Sequence, residues 1–509
     1  MKIRQHIFAI AIFVLAASSL FGQNETAKPA TPNASPEAKA LLWLIYNLSG
    51  KYTLTGQHNY PMAGDRNSVF ATNYSGKPPV IWSIDFGFAK EGDQDSYRMR
   101  QASVREAIRQ NKMGSLVTFC WHAVPPTANE PVTFQPIPGA DPNALASVQG
   151  RLTDDQFKDL LTPGTALYQH WTAQVDTIAF YLKELQKAHV AILWRPYHEM
   201  NGNWFWWGNR VGQYGTAALY RQLFDRLVNH HKLTNLVWVW SVDRPTRAGM
   251  EFTNFYPGNN YLDILALDVY GSDFKKDYYD GLISLSNGKP ITLAEVGTPP
   301  SPEILESQPK WSYWVIWAGM TRNTSRKQYD ALLNDSRVLG RDDSAYINAV
   351  NGMRAATSLP QLALNKPADF TGEWILNEDK SSLDGAGASN LAAKLKIAQD
   401  NSQVAVQKTF IEEWEDNRIT NEKLSLNGTE SQSEYYGFPR ISTAQLSAGQ
   451  DTLKINSKVS INRGGSSTTM LNTEAWALQN HGRELCITQT ADSPQGKRKI
   501  ILVYEKATL

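Results

Sequence analysis

Cysteine is almost missing from this chain: Cys120 and Cys486 are the only two in 509 residues. They fall in stretches that read as different domains, so a disulfide framework is not expected and both are read as buried thiols. An excess of one charge is missing too, with 50 Lys and Arg against 49 Asp and Glu. A polyanion would find little to hold it, which turns the reading away from nucleic acid and acidic membrane faces and toward a neutral ligand. No apolar run reaches the roughly 20 residues of a membrane span. Gly-x-Ser-x-Gly does not occur, which leaves a nucleophilic serine at a strand-to-helix turn unsupported. Neither common Gly-rich phosphate loop occurs. His198-Glu199 does not open a zinc motif, because Gly202 stands where the second histidine belongs and no Cys/His cluster is near. No cofactor and no metal is therefore implied.

Aromatic residues are plentiful: 16 Trp, 21 Tyr and 18 Phe. Flat rings with polar edges stack on sugar faces, although a large core uses them equally well. At the N-terminus Lys2 and Arg4 precede an apolar run over 7–17 and then small and polar residues, the layout of a secretory signal peptide over 1–23. With no cysteine nearby to take a lipid, a secreted protein, extracellular or periplasmic, is expected. Residues 24–38, rich in Thr, Pro, Ala and Asn, read as a flexible leader.

From Leu41 onward, short apolar runs alternate with helical patterns at 97–111, 168–188 and 215–231. The runs are 54–58, 80–85, 116–122, 191–196, 236–241, 262–270, 291–295 and 312–317. Continuous apolar runs without polar alternation indicate strands covered on both faces. Eight strand-helix repeats over 39–359 predict an α/β fold, a (β/α)8 TIM barrel, with a doubly wound open sheet as the alternative. The runs end at His58, Asp85, His122, His198 and Glu199, Asp243, Tyr270, Glu295 and Trp317. In a barrel those ends converge on one mouth. A linker over 360–368 leads to 369–509, where runs are short and alternating and turn clusters separate them. That region predicts a smaller antiparallel all-β domain, barrel or sandwich.

Glycosidic hydrolysis by the usual route needs one carboxylic acid to protonate the leaving oxygen and one carboxylate across the anomeric carbon. Glu199 lies at the end of the fourth strand and Glu295 at the end of the seventh. Across a closed mouth they can approach to about 5–5.5 Å, the retaining geometry, with Glu295 as nucleophile and Glu199 as acid, then base.

The stretch Arg195-Pro196-Tyr197-His198-Glu199-Met200-Asn201-Gly202-Asn203-Trp204-Phe205-Trp206-Trp207-Gly208 closely resembles glycoside hydrolase family 26, whose common members are endo-β-1,4-mannanases. The resemblance covers 41–359 and implies retaining chemistry on a β-mannan polysaccharide, with Glu199 and Glu295 catalytic. It further implies that His122 and His198 flank the bond-cleaving subsite, that Tyr270 hydrogen-bonds the nucleophile, and that Trp204 and Trp317 stack on sugars. Arg195 is read with them as substrate-binding. The chain departs from the family pattern after the third strand, with His122-Ala123-Val124-Pro125-Pro126 and a long insertion over 127–159. A β-1,3-xylanase, a mixed-linkage β-glucanase, an exo-mannobiohydrolase and a non-catalytic carbohydrate-binding protein are the other readings. A monomer is expected, with no nucleic acid and no membrane span.

Plainer readings stand beside these. Glu199 or Glu295 could form a buried salt bridge to Arg195. His122 could be a structural imidazole, and Trp206, Trp207, Trp238 and Trp240 could be core. Asp85, Asp243 and Asp268 either organise the site or cap loops, and Asp263 reads as a turn residue. The opening of the second domain at 369–381 resembles lipocalin-like β domains. Its Trp374, Trp414 and Trp476 are either sugar platforms or the plug of a small β core.

Overall fold

A computed structural model describes residues 27–87, 96–357, 359–362, 367–383, 391–412, 416–435, 437–447, 452–463, 466–479, 482–493 and 496–507. The signal-peptide reading of 1–23 and Trp414 lie outside the described residues. The chain divides into two compact units, Met1–Thr72 with Pro78–Leu362, and Asn73–Lys77 with Ala363–Leu509.

The first unit is built on ten parallel strands: β1 (Thr53–Leu54), β2 (Gly56–His58), β3 (Ile81–Asp85), β4 (Leu116–Trp121), β5 (Ile192–Pro196), β6 (Leu236–Asp243), β7 (Ile264–Val269), β8 (Ile291–Val296), β9 (Trp311–Ile316) and β10 (Val338–Leu339), which pairs with β1. Strand β9 pairs with β8 on one side and with β1 and β2 on the other, so the sheet closes into an eight-position barrel. Every residue of these strands is buried, as covering on both faces demands. The first position holds two short strands where one run over 54–58 was expected. The break falls at Thr55, whose N–H donates to Leu339 O while its carbonyl accepts from Val80 and Ile81. Beyond it the backbone presses on β9 so closely that a Cβ at Gly56 would lie 2.3 Å from the Trp314 carbonyl oxygen. Only glycine fits there.

The end of the barrel where the strands begin is filled. Ser35 caps the helix Pro36–Leu48, its hydroxyl accepting from Ala38 N, and Pro36 supplies the fixed φ of a first turn. Leu41, Leu44, Ile45 and Leu48 of that helix share one core with Leu54, Ile81, Leu193, Val237 and Ile264. Chemistry is left to the opposite end.

The flexible-leader reading needs correction over its described part. Ser35 N donates to Thr234 O, Thr31 Oγ1 to Leu236 O, and Ala30 N to Asp263 Oδ1 at 2.6 Å. Asp263, read as a turn residue, is buried and also accepts from Trp238 N through Oδ2 at 2.7 Å. One carboxylate thus ties the leader to β6, a long-range role that local polarity does not reveal. Asp263→Asn turns one of its two acceptors into a donor facing an N–H. It should cost about 1–3 kcal/mol, read as a lower urea midpoint at unchanged m-value.

The second unit is a ten-stranded antiparallel sheet: β11 (Gly372–Ser382), β12 (Lys394–Gln399), β13 (Gln403–Phe410), β14 (Arg418–Ser425), β15 (Ser431–Tyr435), β16 (Phe438–Leu446), β17 (Thr452–Arg463), β18 (Ser466–Gln479), β19 (Glu484–Ser493) and β20 (Gly496–Lys506). The order β14-β13-β12-β11-β20-β19-β18-β17-β16-β15 follows the chain round a ring, with β11 against β20. Its two ends approach through Ser425 N to Ser431 Oγ and an Asn427–Gln445 bridge, which makes it a nearly closed up-and-down barrel. Trp374 and Trp476 are fully buried among Leu395, Val404, Leu453 and Leu485. Trp374 plugs the core, while Trp476 also lines the barrel's interior cavity. Cys120 is buried, Cys486 only half-buried, and both are free.

Candidate active site

Glu199 sits on a turn just past β5, where the backbone is forced into the left-handed region at Tyr197 (φ +49°) and again at Glu199 (φ +51°). Non-glycine residues resist that conformation at about 1–3 kcal/mol each, so the surroundings must over-determine it. They do: Trp171 Nε1 donates to Tyr197 Oη at 2.9 Å, Trp207 Nε1 to His198 O at 2.8 Å, and Gly202 N to Glu199 O at 2.8 Å. Asn201 staples the turn to β6, its amide donating to Asp243 O and Met250 O and accepting from Asp243 N. Nothing local in the sequence marks Asn201 or the Trp171–Tyr197 pair, because their partners are 26 to 49 residues away.

The Glu199 carboxyl is buried, and Oε2 accepts from Trp204 Nε1 at 2.6 Å. Burial pushes this acid well above the ordinary carboxylate range, and the charges of Glu295, Asp268 and Asp243 push it further. Both effects favour the protonated form of Glu199. The half-buried Trp204 ring lies over Gly202, where an added Cβ would sit 2.2 Å from it, so glycine is required for this approach.

Glu295 on β8 is held from two sides. Tyr270 Oη donates to Oε1, and Arg195 Nη2 donates to Oε2 at 2.8 Å. Arg195 also pairs with Asp268 through Nη2 and donates to Ser241 Oγ through Nε, and Ser241 Oγ in turn donates to Asp268 Oδ1 at 2.8 Å. The substrate-binding reading of Arg195 needs correction. A guanidinium only 4% exposed is stable among carboxylates, and its donors serve Asp268 and Glu295, so Arg195 positions the carboxylate from behind. The salt-bridge alternative was right about the contact for Glu295. Tyr270→Phe removes a hydrogen bond to a carboxylate and should lower kcat about ten- to a hundredfold with KM little changed, measured in steady-state turnover.

The histidines form a third wall. His122 meets Asp85 through Nδ1 and its backbone N–H, and the His122 charge holds the Asp85 carboxyl below its usual range despite complete burial. His198 stands edge-on to His122 with ring centroids 4.4 Å apart. Burial, then the Arg195 and His122 charges, drives its pKa well down, leaving a neutral imidazole whose buried Nδ1 has no partner among the described residues. His58, pushed down to about 3 chiefly by burial, stacks at 4.0 Å on Trp317, which is half-buried at the end of β9. Asp85, Asp243 and Asp268 all organise this mouth. Trp206, Trp207, Trp238 and Trp240, by contrast, are fully buried with every indole N–H bonded, to Ala123 O, His198 O, Thr31 Oγ1 and Met200 Sδ. They are scaffold.

The insertion after β4 supports the aromatic loop. Gly150 N donates to Trp204 O at 2.9 Å, and Trp206 N donates to Val148 O at 3.2 Å. Arg210 ties both segments together through Asp154 and Leu152 O.

Two groups of side chains have metal-ligand proximity, Asp85 with Cys120 and His122, and Asp176 with His230 and His231. In the first, Asp85 Oδ2 already accepts from both partners and burial keeps the Cys120 thiol protonated, which is poor chemistry for a soft-metal site. In the second, Arg226 donates to Asp176 and Lys183 lies against His231, so cations already occupy the surroundings.

A closed parallel barrel whose strand ends carry Glu199, Glu295, histidines and half-buried aromatics has the make-up of a glycoside hydrolase. The chain belongs to glycosyl hydrolase family 26, whose model matches residues 30–343. A mannan endo-1,4-β-mannosidase of Thermothelomyces thermophilus is 34% identical over 298 residues, 56% of this chain and 56% of that relative's length. One of Bacillus subtilis is 27% identical over 374 residues, 67% of this chain and 96% of the relative. Among solved structures, GH26A from a Muricauda species is 41% identical with a TM-score of 0.56, covering 61% of this chain and 98% of that one.

Proposed function

We propose that the chain is a secreted, monomeric, retaining endo-β-1,4-mannanase. Glu295 attacks the anomeric carbon while Glu199 gives its proton to the departing glycosidic oxygen. Glu199 then takes a proton from water as the water displaces Glu295. The observation that carries this reading is the contrast between the two acids. Glu199 is pushed toward its protonated form, while Glu295 offers a carboxylate fixed by Tyr270 and Arg195. Trp204 and Trp317 supply half-buried rings beside them for sugar faces. The mannan substrate follows from the relatives named for that activity. The test is product profiling on galactomannan, glucomannan, β-1,3-xylan and mixed-linkage glucan. A mixture of manno-oligosaccharides with an early fall in viscosity is expected from the first two. Hydrolysis confined to xylan or mixed-linkage glucan, or release of mannobiose alone, would overturn the substrate or the endo assignment.

A further inference from the structure

The indole of Trp317 rests on side chains contributed by β2 and the residues just after it. His58 lies flat against the ring, with centroids 4.0 Å apart and planes 12° from parallel. Tyr60 stands edge-on to both rings, 6.3 Å from each at 88° and 89°. The His58 imidazole is itself pinned, with Nδ1 2.8 Å from Ser83 Oγ, and burial keeps it neutral. The preceding residue, Gln57, grips the backbone on both sides of Trp317. Its Nε2 donates to Ala318 O at 2.6 Å and to Ile316 O at 3.3 Å, while its Oε1 accepts from Thr321 Oγ1 at 2.8 Å. Gln57 and His58 are each only 1% exposed.

A primary amide is costly to bury unless its donors and acceptor are paired. Here the pairing converges on the turn after β9, because Ile316, Ala318 and Thr321 all bond the one side chain. Ala318 needs such a hold: its φ is +40°, in the left-handed region that a residue with a Cβ resists. His58 covers one face of the indole, so the exposure that half-buried Trp317 keeps lies on the other face and the edge. His122 is 5.9 Å from the same ring and the Glu295 charge reaches Tyr60, which puts this assembly in the catalytic mouth. We propose that Gln57 and His58 are positioning residues for sugar binding: Gln57 fixes the turn and His58 the tilt of Trp317, so that one open indole face meets one pyranose ring. The inference rests on the reading of Trp317 as a sugar-stacking residue.

The test is a double-mutant cycle on the full chain carrying Glu295→Ala, which prevents turnover. Mannotetraose and cellotetraose are titrated calorimetrically, and the tighter of the two is carried through the cycle. Trp317→Ala should weaken binding about thirtyfold, the loss of one aromatic anchor. His58→Ala takes away the backing and lets the indole tilt. It should weaken binding about three- to tenfold while Trp317 is present, and less than about twofold once Trp317 is alanine. A residue that merely supports the fold would lose the same factor in both backgrounds. Gln57→Leu should show the same coupling, and if it fails to fold, His58→Ala decides. Equal losses with and without Trp317, or no loss from His58→Ala, would overturn the inference and leave Trp317 standing as a sugar contact. No loss from Trp317→Ala would instead fail the sugar-stacking reading, and the positioning role would fall with it.

Discussion

Glu295→Ala should lower kcat on glucomannan by about 10⁵-fold, within the range that removal of an enzyme's nucleophile reaches, while the fold survives. The fold survives because Arg195 keeps Asp268 and Ser241 as partners when Glu295 is gone, so no cation is left buried alone. The vacated space faces Tyr270 and Arg195, two donors suited to a small anion. Added azide should therefore restore turnover of an activated aryl mannoside and yield the α-mannosyl azide, the product of a single displacement. Circular dichroism checks the fold and product analysis checks the rescue. Residual activity above a few per cent on polymer would remove Glu295 from the nucleophile's role.

Glu199→Ala should behave differently because the acid matters in proportion to how poorly the leaving group departs. On mannan the loss should be about 10²–10⁴-fold, the worth of a positioned proton donor. On a dinitrophenyl mannoside the first step needs no protonation. That variant should release a burst of phenol and then turn over slowly, since the base for the second step is missing. The pH profile adds a signed expectation. Burial, then the charges of Glu295, Asp268 and Asp243, raises the Glu199 carboxyl above its ordinary value. With Glu199 as the proposed acid the protonated form is the active one, so kcat/KM should hold at lower pH and fall as pH rises through that raised pKa. In Glu199→Ala the alkaline limb should be absent. A variant that keeps the limb would place the acid elsewhere.

Much of this was legible in the sequence because a barrel leaves a local record. Strands covered on both faces read as unbroken apolar runs, and the residues that end them, from His58 and Asp85 to Glu295 and Trp317, meet at one mouth. What stayed hidden were roles fixed by distant partners. Arg195 looked available to substrate until Asp268 and Glu295, 73 and 100 residues further on, were seen to hold it. Asp263 looked like a turn because its partner Ala30 lies 233 residues away, and that same contact anchors a leader whose composition reads as loose. Trp206 and Trp207 sit in one run with Trp204, and only Trp204 faces Glu199 while the other two are buried, a difference that composition cannot encode. The second barrel showed its alternation. Its interior charges did not stand out, because Glu422, Arg440 and Glu474 look in sequence like ordinary polar positions of half-exposed strands.

The chain should be incubated with a 2-deoxy-2-fluoro-mannobioside bearing an activated leaving group, then digested and the peptides weighed. The fluorine slows both steps and the leaving group spares only the first, so a covalent intermediate accumulates. The account predicts one added fluoro-mannobiosyl unit on the peptide that contains Glu295. The same mass on the Glu199 peptide, or turnover with no label anywhere, would contradict it.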